Sequence, residues 1–336
     1  MKKIKTRIFI TLMIGIIISG SVSMLYGWGA WGHRHINKAA VFALPIQMRN
    51  FYYNHIDFIT EGSVVPDIRR GVLNDKSENA RHYVDIEEFT NFSPDDIPKT
   101  PKEITAKYDS AFLQRTGILP WYIQTLTDKL TLAFKRKNRS EIIFISAELG
   151  HYVADAHMPL HTASNHDGQL TNQKGIHSFW ETHLPQLYGD SYNFFTSDAK
   201  YIPDITAETW RIVLESHRLV DTLLSVERKL RPTFPKENLY KKDDSGKVIL
   251  QYNQPVFSNE YSARYHSALN GMIEKQMRAS IQDVADYWYT AWVNGGKPNL
   301  DIMDEASLTS RNRKNLKREM KSWKKGRLLY LKNAAE

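Results

Sequence analysis

The run His151-Tyr-Val-Ala-Asp155-Ala-His157-Met-Pro-Leu-His161 concentrates imidazole around a carboxylate. His151 and Asp155 stand four residues apart, so on a helix both project from one face. That geometry suits two ligands on one cation or on adjacent cations. Pro159 ends the helix and lets His161 return toward the same place. His177-Ser-Phe-Trp-Glu181 repeats the i, i+4 pairing. One such pair alone reads as a surface ion pair or a helix cap. Two pairs with His161 between them read as a metal site. Imidazole and carboxylate without thiolate favour Zn²⁺, with Mn²⁺, Fe²⁺ or Co²⁺ as alternatives. The chain has 12 His and no Cys, which excludes disulfides, Cys-ligated zinc and thiolate catalysis. His35, His55, His157, His166, His183, His217 and His266 are assigned ordinary polar roles or places behind the site.

The elements that must position these residues are helical. Apolar residues recur at three- and four-residue spacing through 104–134, 141–156, 205–230 and 260–293. Strictly alternating Val-Ile-Thr runs are scarce. Gly295-Gly296-Lys297-Pro298 closes the last long helix. Turn residues mark loops at 91–101, 164–175 and 234–248. Trp288 and Trp292 fall at helical spacing and are expected in the core. The fold class is all-α, with one domain over 28–299 and a basic helical tail over 300–336.

The chain has 336 residues and a net charge of +8, 42% of it hydrophobic, enough for a sizeable core. The charge is unevenly placed. Lys2, Lys3, Lys5 and Arg7 precede residue 28 with no acid among them. Residues 311–336 carry ten basic and two acidic residues, which leaves the body from 28 to 310 at −4. The basic balance therefore does not indicate a nucleic-acid groove in the body. Residues 1–27 read as a secretory signal peptide: a basic start, an apolar run at 8–18 and then Ser-Gly-Ser. The run is short for a spanning helix. An uncleaved anchor is the alternative. A cut after Gly27 puts a small residue at the last position, although Leu25 is larger than the usual pattern. A secreted or periplasmic protein is expected. In the tail, Leu316, Met320 and Trp323 form a thin apolar stripe on a basic helix. This suits peripheral contact with an anionic membrane or nucleic acid, or a helix packed on the body.

Two earlier segments complete a pattern: Trp28-Gly-Ala-Trp-Gly-His33, and Val64-Val-Pro-Asp67-Ile-Arg followed by Arg81-His82-Tyr-Val-Asp85. Together with the later pairs, these resemble the superfamily of trinuclear-zinc phosphodiesterases. That superfamily joins single-strand-specific nucleases of fungi and plants with bacterial zinc-dependent phospholipase C. The resemblance covers 28–184. It implies three zinc ions. Trp28, through its free amine and carbonyl, and His33 would hold one. Asp67, His82 and His151 would hold a second, and Asp155 would bridge the two. His161, His177 and Glu181 would hold the third. An amide nitrogen at Trp28 cannot serve as an amine ligand, so processing becomes part of the mechanism.

The implied chemistry brings a nucleophile to a phosphodiester anion. A close zinc pair supplies hydroxide near neutral pH, and a third zinc stabilises the leaving alkoxide. The resemblance places Asp67 to orient or deprotonate the attacking water. Arg69, Arg70 and Arg81 are candidates to neutralise phosphate, with solvated surface positions as the alternative. The short Trp-Gly-x-x-Gly-His opening resembles the nucleases, whereas glutamate at position 181 resembles the phospholipases. The expected function is a zinc-dependent endonuclease on single-stranded nucleic acid, with 3′-nucleotidase activity as an associated possibility. The alternatives are a phospholipase C acting on phospholipid, and a helical binding module with structural zinc. Tyr83, Phe89 and Phe92 could stack a base, with core packing as the competing role. A lipase would instead need an apolar rim beside the metals. A monomer is expected.

Overall fold

The computed structural model describes residues 28–89, 93, 96–251, 254–304 and 308–329. The proposed signal peptide lies outside the described residues, as does Phe92. Helices dominate, and the only strands among the described residues form a hairpin, Leu250–Gln251 with Gln254–Pro255. No helix there is long and apolar enough to cross a membrane.

Near the start lie α1 (Gly29–Ala43), α2 (Ile46–Asn54), α3 (Ile56–Gly62) and α4 (Val65–Gly71). Then come α5 (Leu119–Arg136) and α6 (Arg139–Ala156), joined by Lys137 in a left-handed conformation. Asn138 caps α6 by accepting the Glu141 N–H. The later helices are α7 (Ile205–His217), α8 (Val220–Leu230), α9 (Asn259–Ala268) and α10 (Met272–Asn294). The tail holds α11 (Ser310–Trp323).

Helices α1, α5, α6 and α10 pack on one another and form the centre. Helix α6 is apolar around much of its girth, with Ile142, Ala147, Leu149 and Val153 all buried. A helix of that kind belongs in the interior, so its last turn carries His151 and Asp155 deep into the protein. Gly150 lets α1 come close, because a Cβ there would lie 2.2 Å from Asn37 Oδ1. The Asn37 amide then donates to the carbonyls of Ile59 and Ala147, tying α1 to α3 and α6. Trp288 is fully buried and stacks on Tyr52 at 5.1 Å, with its indole N–H on the Ser146 carbonyl. Trp292 is likewise core.

Three of the expected long helices are broken. The stretch 104–134 becomes Pro101–Lys107, Ser110–Thr116 and α5. Each later piece starts at a local stop: the Asp109 cap, or Gly117 at φ 85°. The stretch 205–230 divides at Arg218-Leu219 into α7 and α8. The stretch 260–293 divides at Asn270 and Gly271, both with positive φ. Apolar periodicity survives such corners because both arms pack on the same core.

The tail packs on the body. Leu316 and Trp323 are buried, and the Trp323 ring lies 6.2 Å from Phe42 and 4.8 Å from Phe195. Glu319 turns inward to pair with Lys38 at 3.1 Å and to accept from the Tyr53 hydroxyl at 2.7 Å. The apolar stripe is thus used against α1 and α2, which removes it as a membrane-inserting face.

Candidate metal centre

Seven segments converge on one buried cluster. Helix α1 brings His33, α4 brings Asp67, the turn after Lys76–Asn79 brings His82, and α6 brings His151 and Asp155. A short 3₁₀ turn, Pro159–Thr162, returns His161. His177 follows on Ile176–Ser178, and the helix widens to a π turn over Phe179–His183 that carries Glu181. The spacing predicts one α-helical face for His177 and Glu181, and the π turn still leaves them 3.1 Å apart. Such widened turns are common at functional sites.

Asp155 lies at the centre. Its Oδ2 is 3.0 Å from His82 Nδ1 and 3.2 Å from His151 Nε2. Its Oδ1 is 3.4 Å from His33 Nε2 and 3.5 Å from His161 Nδ1. His33, Asp67, His151, Asp155 and Glu181 are all completely buried. Three groups bring ligand atoms within 4.8 Å of one another: His33, His151 and Asp155; Asp67, His82 and His151; His161, His177 and Glu181. Trp28 is also buried, and its indole N–H donates to the carbonyl of Ala154 at 2.6 Å, next to Asp155. Its carbonyl accepts the Gly32 N–H at 3.1 Å.

Backbone carbonyls orient two of the rings. His151 Nδ1 donates to Ser63 O at 2.7 Å, and His177 Nδ1 donates to His166 O at 2.7 Å. Each ring therefore turns Nε2 into the cluster. Burial lowers both pKa values, but Asp155 outweighs it to raise His151 and Glu181 outweighs it to raise His177 to about 9. A metal would thus displace the Nε2 proton to take the lone pair. His82 is reversed, with Nδ1 facing inward and Nε2 3.6 Å from Glu78 Oε1. Gly117 supports this loop, since a Cβ there would lie 2.1 Å from Tyr83 O.

Electrostatics favour cation binding. Burial, aided by His151, lowers the pKa of His33, and burial lowers that of His161 well below the usual range. Both are neutral imidazoles near pH 7, as ligation needs. Burial opposes the Asp155 charge, but the charge on His151 and the ring N–H groups of His151 and His33 outweigh it and hold the carboxyl well below its usual value. Burial raises Glu181 to about 7 against the pull of His177. Several buried atoms have no hydrogen-bond partner: both ring nitrogens of His33, Asp155 Oδ1, His161 Nδ1 and both Glu181 oxygens. Each such atom costs about 1–3 kcal/mol unless something meets it. A borderline cation meets N and O donors at once, so the donor set fits zinc.

The arginines are not solvated surface groups. Arg70 pairs with Asp67 at 2.8 Å. Arg69 and Arg81 each reach Glu78 Oε2 at 2.9 Å, and Arg69 also pairs with Glu148. The Tyr152 hydroxyl donates to Glu78 Oε1. Sequence reasoning gave Glu78 no role, although Glu78 and His82 stand at the same i, i+4 spacing that singled out the other pairs. Of the remaining histidines, His157 pairs with Asp283 at 2.9 Å, His55 with Asp304 at 2.8 Å and His266 with the Tyr192 hydroxyl at 2.7 Å, whereas the buried Nε2 of His183 has no hydrogen-bond partner.

No curated protein matches the chain. The sequence profile described as zinc dependent phospholipase C matches residues 32–226, more than half of the chain. That segment holds every residue of the three groups. The chain therefore belongs to the zinc-dependent phospholipase C family.

Proposed function

We propose that the chain hydrolyses the headgroup phosphodiester of phospholipids. The observation that carries this reading is the apolar rim beside Asp67. Asp67 is fully buried, whereas its neighbours Ile68, Val72 and Leu73 are 37%, 48% and 68% exposed. Helix α4 and the two residues after it thus turn a carboxylate into the cluster and apolar side chains toward solvent. Arg69 of α4 pairs with Glu148, which lines a groove of about 690 Å³. Phe58, Leu126, Leu132, Phe144 and Ile145 also line it. Lys129, Arg136 and Glu141 also line the groove, so the apolar side chains beside Asp67 carry the reading: they suit acyl chains, and a polyanion has no use for them.

Under this reading, the Trp28 main chain and His33 would hold one zinc, Asp67, His82 and His151 a second, and His161, His177 and Glu181 a third, with Asp155 available to the first two. Zinc bound there would supply hydroxide near neutral pH and stabilise the leaving alkoxide. The chain's own groups do the rest. Asp67 orients the attacking water and takes its proton at a carboxylate oxygen. Arg70, paired with Asp67, turns its guanidinium to a phosphate oxygen. Export belongs to the same reading, with removal of 1–27 freeing the Trp28 amine. N-terminal sequencing of the exported protein tests that step.

One observation supports the second reading, a nuclease on single-stranded nucleic acid. Tyr83 is half-buried, with its hydroxyl anchored on Arg115 O at 3.0 Å, and Asp85 Oδ1 nearby has no partner. A base could stack on that ring. Phe89 is unsuited, being buried against Tyr108, Phe112 and Trp121. The test sets short-chain phosphatidylcholine beside single-stranded DNA with one purified sample. Release of phosphocholine, lowered by Leu73→Asp and Val72→Asp, is expected. DNA cleavage without phosphocholine release would overturn the phospholipid reading in favour of the nuclease.

A further inference from the structure

Every Lys and Arg between 311 and 327 is exposed, and the only acid there, Glu319, is buried. Helix α11 has sorted its residues by face. Leu316 and Trp323 seat the inner face, and Lys38 neutralises Glu319. The outer face is left with one sign of charge, while the body is net negative. Cationic side chains dispersed for solubility would not segregate in this way.

We propose that this outer face docks the protein on an anionic lipid bilayer. Charge complementarity is the first argument, since juxtamembrane basic clusters bind anionic headgroups. The second concerns the competing polyanion. Trp323 is buried, so no aromatic side chain stands on the exposed face between 311 and 327 to stack a base. The third is that the choice of a bilayer rests in part on the phospholipid reading above. Contact is electrostatic, because the apolar stripe is already packed on the body. Helix α1 links the two places: Phe42, under Trp323, lies roughly 14 Å along the axis from His33.

The test uses the full exported chain with sucrose-loaded vesicles of equal phosphatidylglycerol and phosphatidylcholine, compared with pure phosphatidylcholine. Lys317, Lys321 and, at the C-cap, Lys324 recur along one side of α11. Reversing all three to Glu should weaken binding to the anionic vesicles by about 100-fold or more. Reversing Lys229, Lys236 and Lys247, which are exposed elsewhere, changes net charge equally and should have a much smaller effect. Raising salt to 0.5 M should release the wild type. Unchanged binding in the α11 variant, an equal fall in both variants, or preference for single-stranded DNA over vesicles would overturn the proposal. Turnover of soluble short-chain phosphatidylcholine separates the two claims. The α11 variant should retain it, which also shows that the variant folds. If the wild type lacks this turnover yet still binds anionic vesicles through α11, only the phospholipid reading fails.

Discussion

Glu78 Oε1 lies 3.6 Å from His82 Nε2, while Nδ1 of the same ring faces Asp155 Oδ2 at 3.0 Å. The imidazole thus stands between two carboxylates, one inside the cluster and one behind it. Arg69, Arg81 and the Tyr152 hydroxyl hold Glu78 in place. At 3.6 Å Glu78 attracts a proton on Nε2 electrostatically without hydrogen-bonding it, and a proton there leaves the Nδ1 lone pair for a cation.

Glu78→Gln should therefore weaken zinc binding by roughly 10–100-fold, with Glu78→Asp recovering part of it. Titration against a chromogenic chelator measures this. Nitrogen-15 NMR of the metal-free protein should show the His82 tautomer becoming mixed. Wild-type affinity together with an unchanged tautomer would show that Glu78 only supports the fold.

Removing a residue at the centre should have a larger effect. His151→Ala takes a donor from two of the three groups and Asp155→Ala removes the carboxylate at the centre, so both should lower zinc content and drop turnover at least about 100-fold. Elemental analysis and phosphodiesterase assay on the same preparations check this. Full zinc with full rate in either variant would refute the site assignment.

Part of this cluster was legible in the sequence because some of its candidate ligands sit at helical spacing on elements that fold locally. His151 with Asp155 and His177 with Glu181 are such pairs. Trp28, His33, Asp67 and His82 lie far away in the chain, and only the family resemblance joined them to the cluster. Glu78 was missed for a physical reason. An i, i+4 Glu–His pair usually means a solvated helix face, and only tertiary packing shows that Arg69, Arg81 and Tyr152 bury it. The helix breaks at Arg218-Leu219 and Asn270-Gly271 were hidden because periodicity reports which face is buried and carries little information about direction.

The tail offers a test of stability. Lys38 and Glu319 are nearly enclosed, with side-chain exposures of 8% and 7%. Glu319→Ala leaves the Lys38 ammonium without its carboxylate and should cost about 3–5 kcal/mol. The double change Lys38→Met with Glu319→Leu should recover most of that. Urea unfolding of the three proteins decides it, and a single variant as stable as wild type would show that the tail is only loosely held.

Stability should also depend on pH through Asp286. Burial raises its carboxyl to about 7, even though it accepts hydrogen bonds from the Lys200 N–H and Gln282. The folded state therefore binds this proton more tightly than the unfolded state. The contribution is fully present below about pH 4 and is lost as pH rises to about 7. Asp286→Asn keeps the acceptor oxygen and removes the titration. Relative to wild type, it should gain on the order of 1–3 kcal/mol between pH 4 and pH 8. Parallel urea curves at the two pH values measure the difference, and an offset independent of pH would contradict the assignment.

The most direct test of the central claim is anomalous diffraction above and below the zinc edge, on crystals of the exported, processed protein. The account predicts three zinc peaks: one at the Trp28 main chain and His33, one among Asp67, His82 and His151, and one among His161, His177 and Glu181, with Asp155 between the first two. An absence of zinc from this cluster, or zinc bound only elsewhere on the chain, would contradict it.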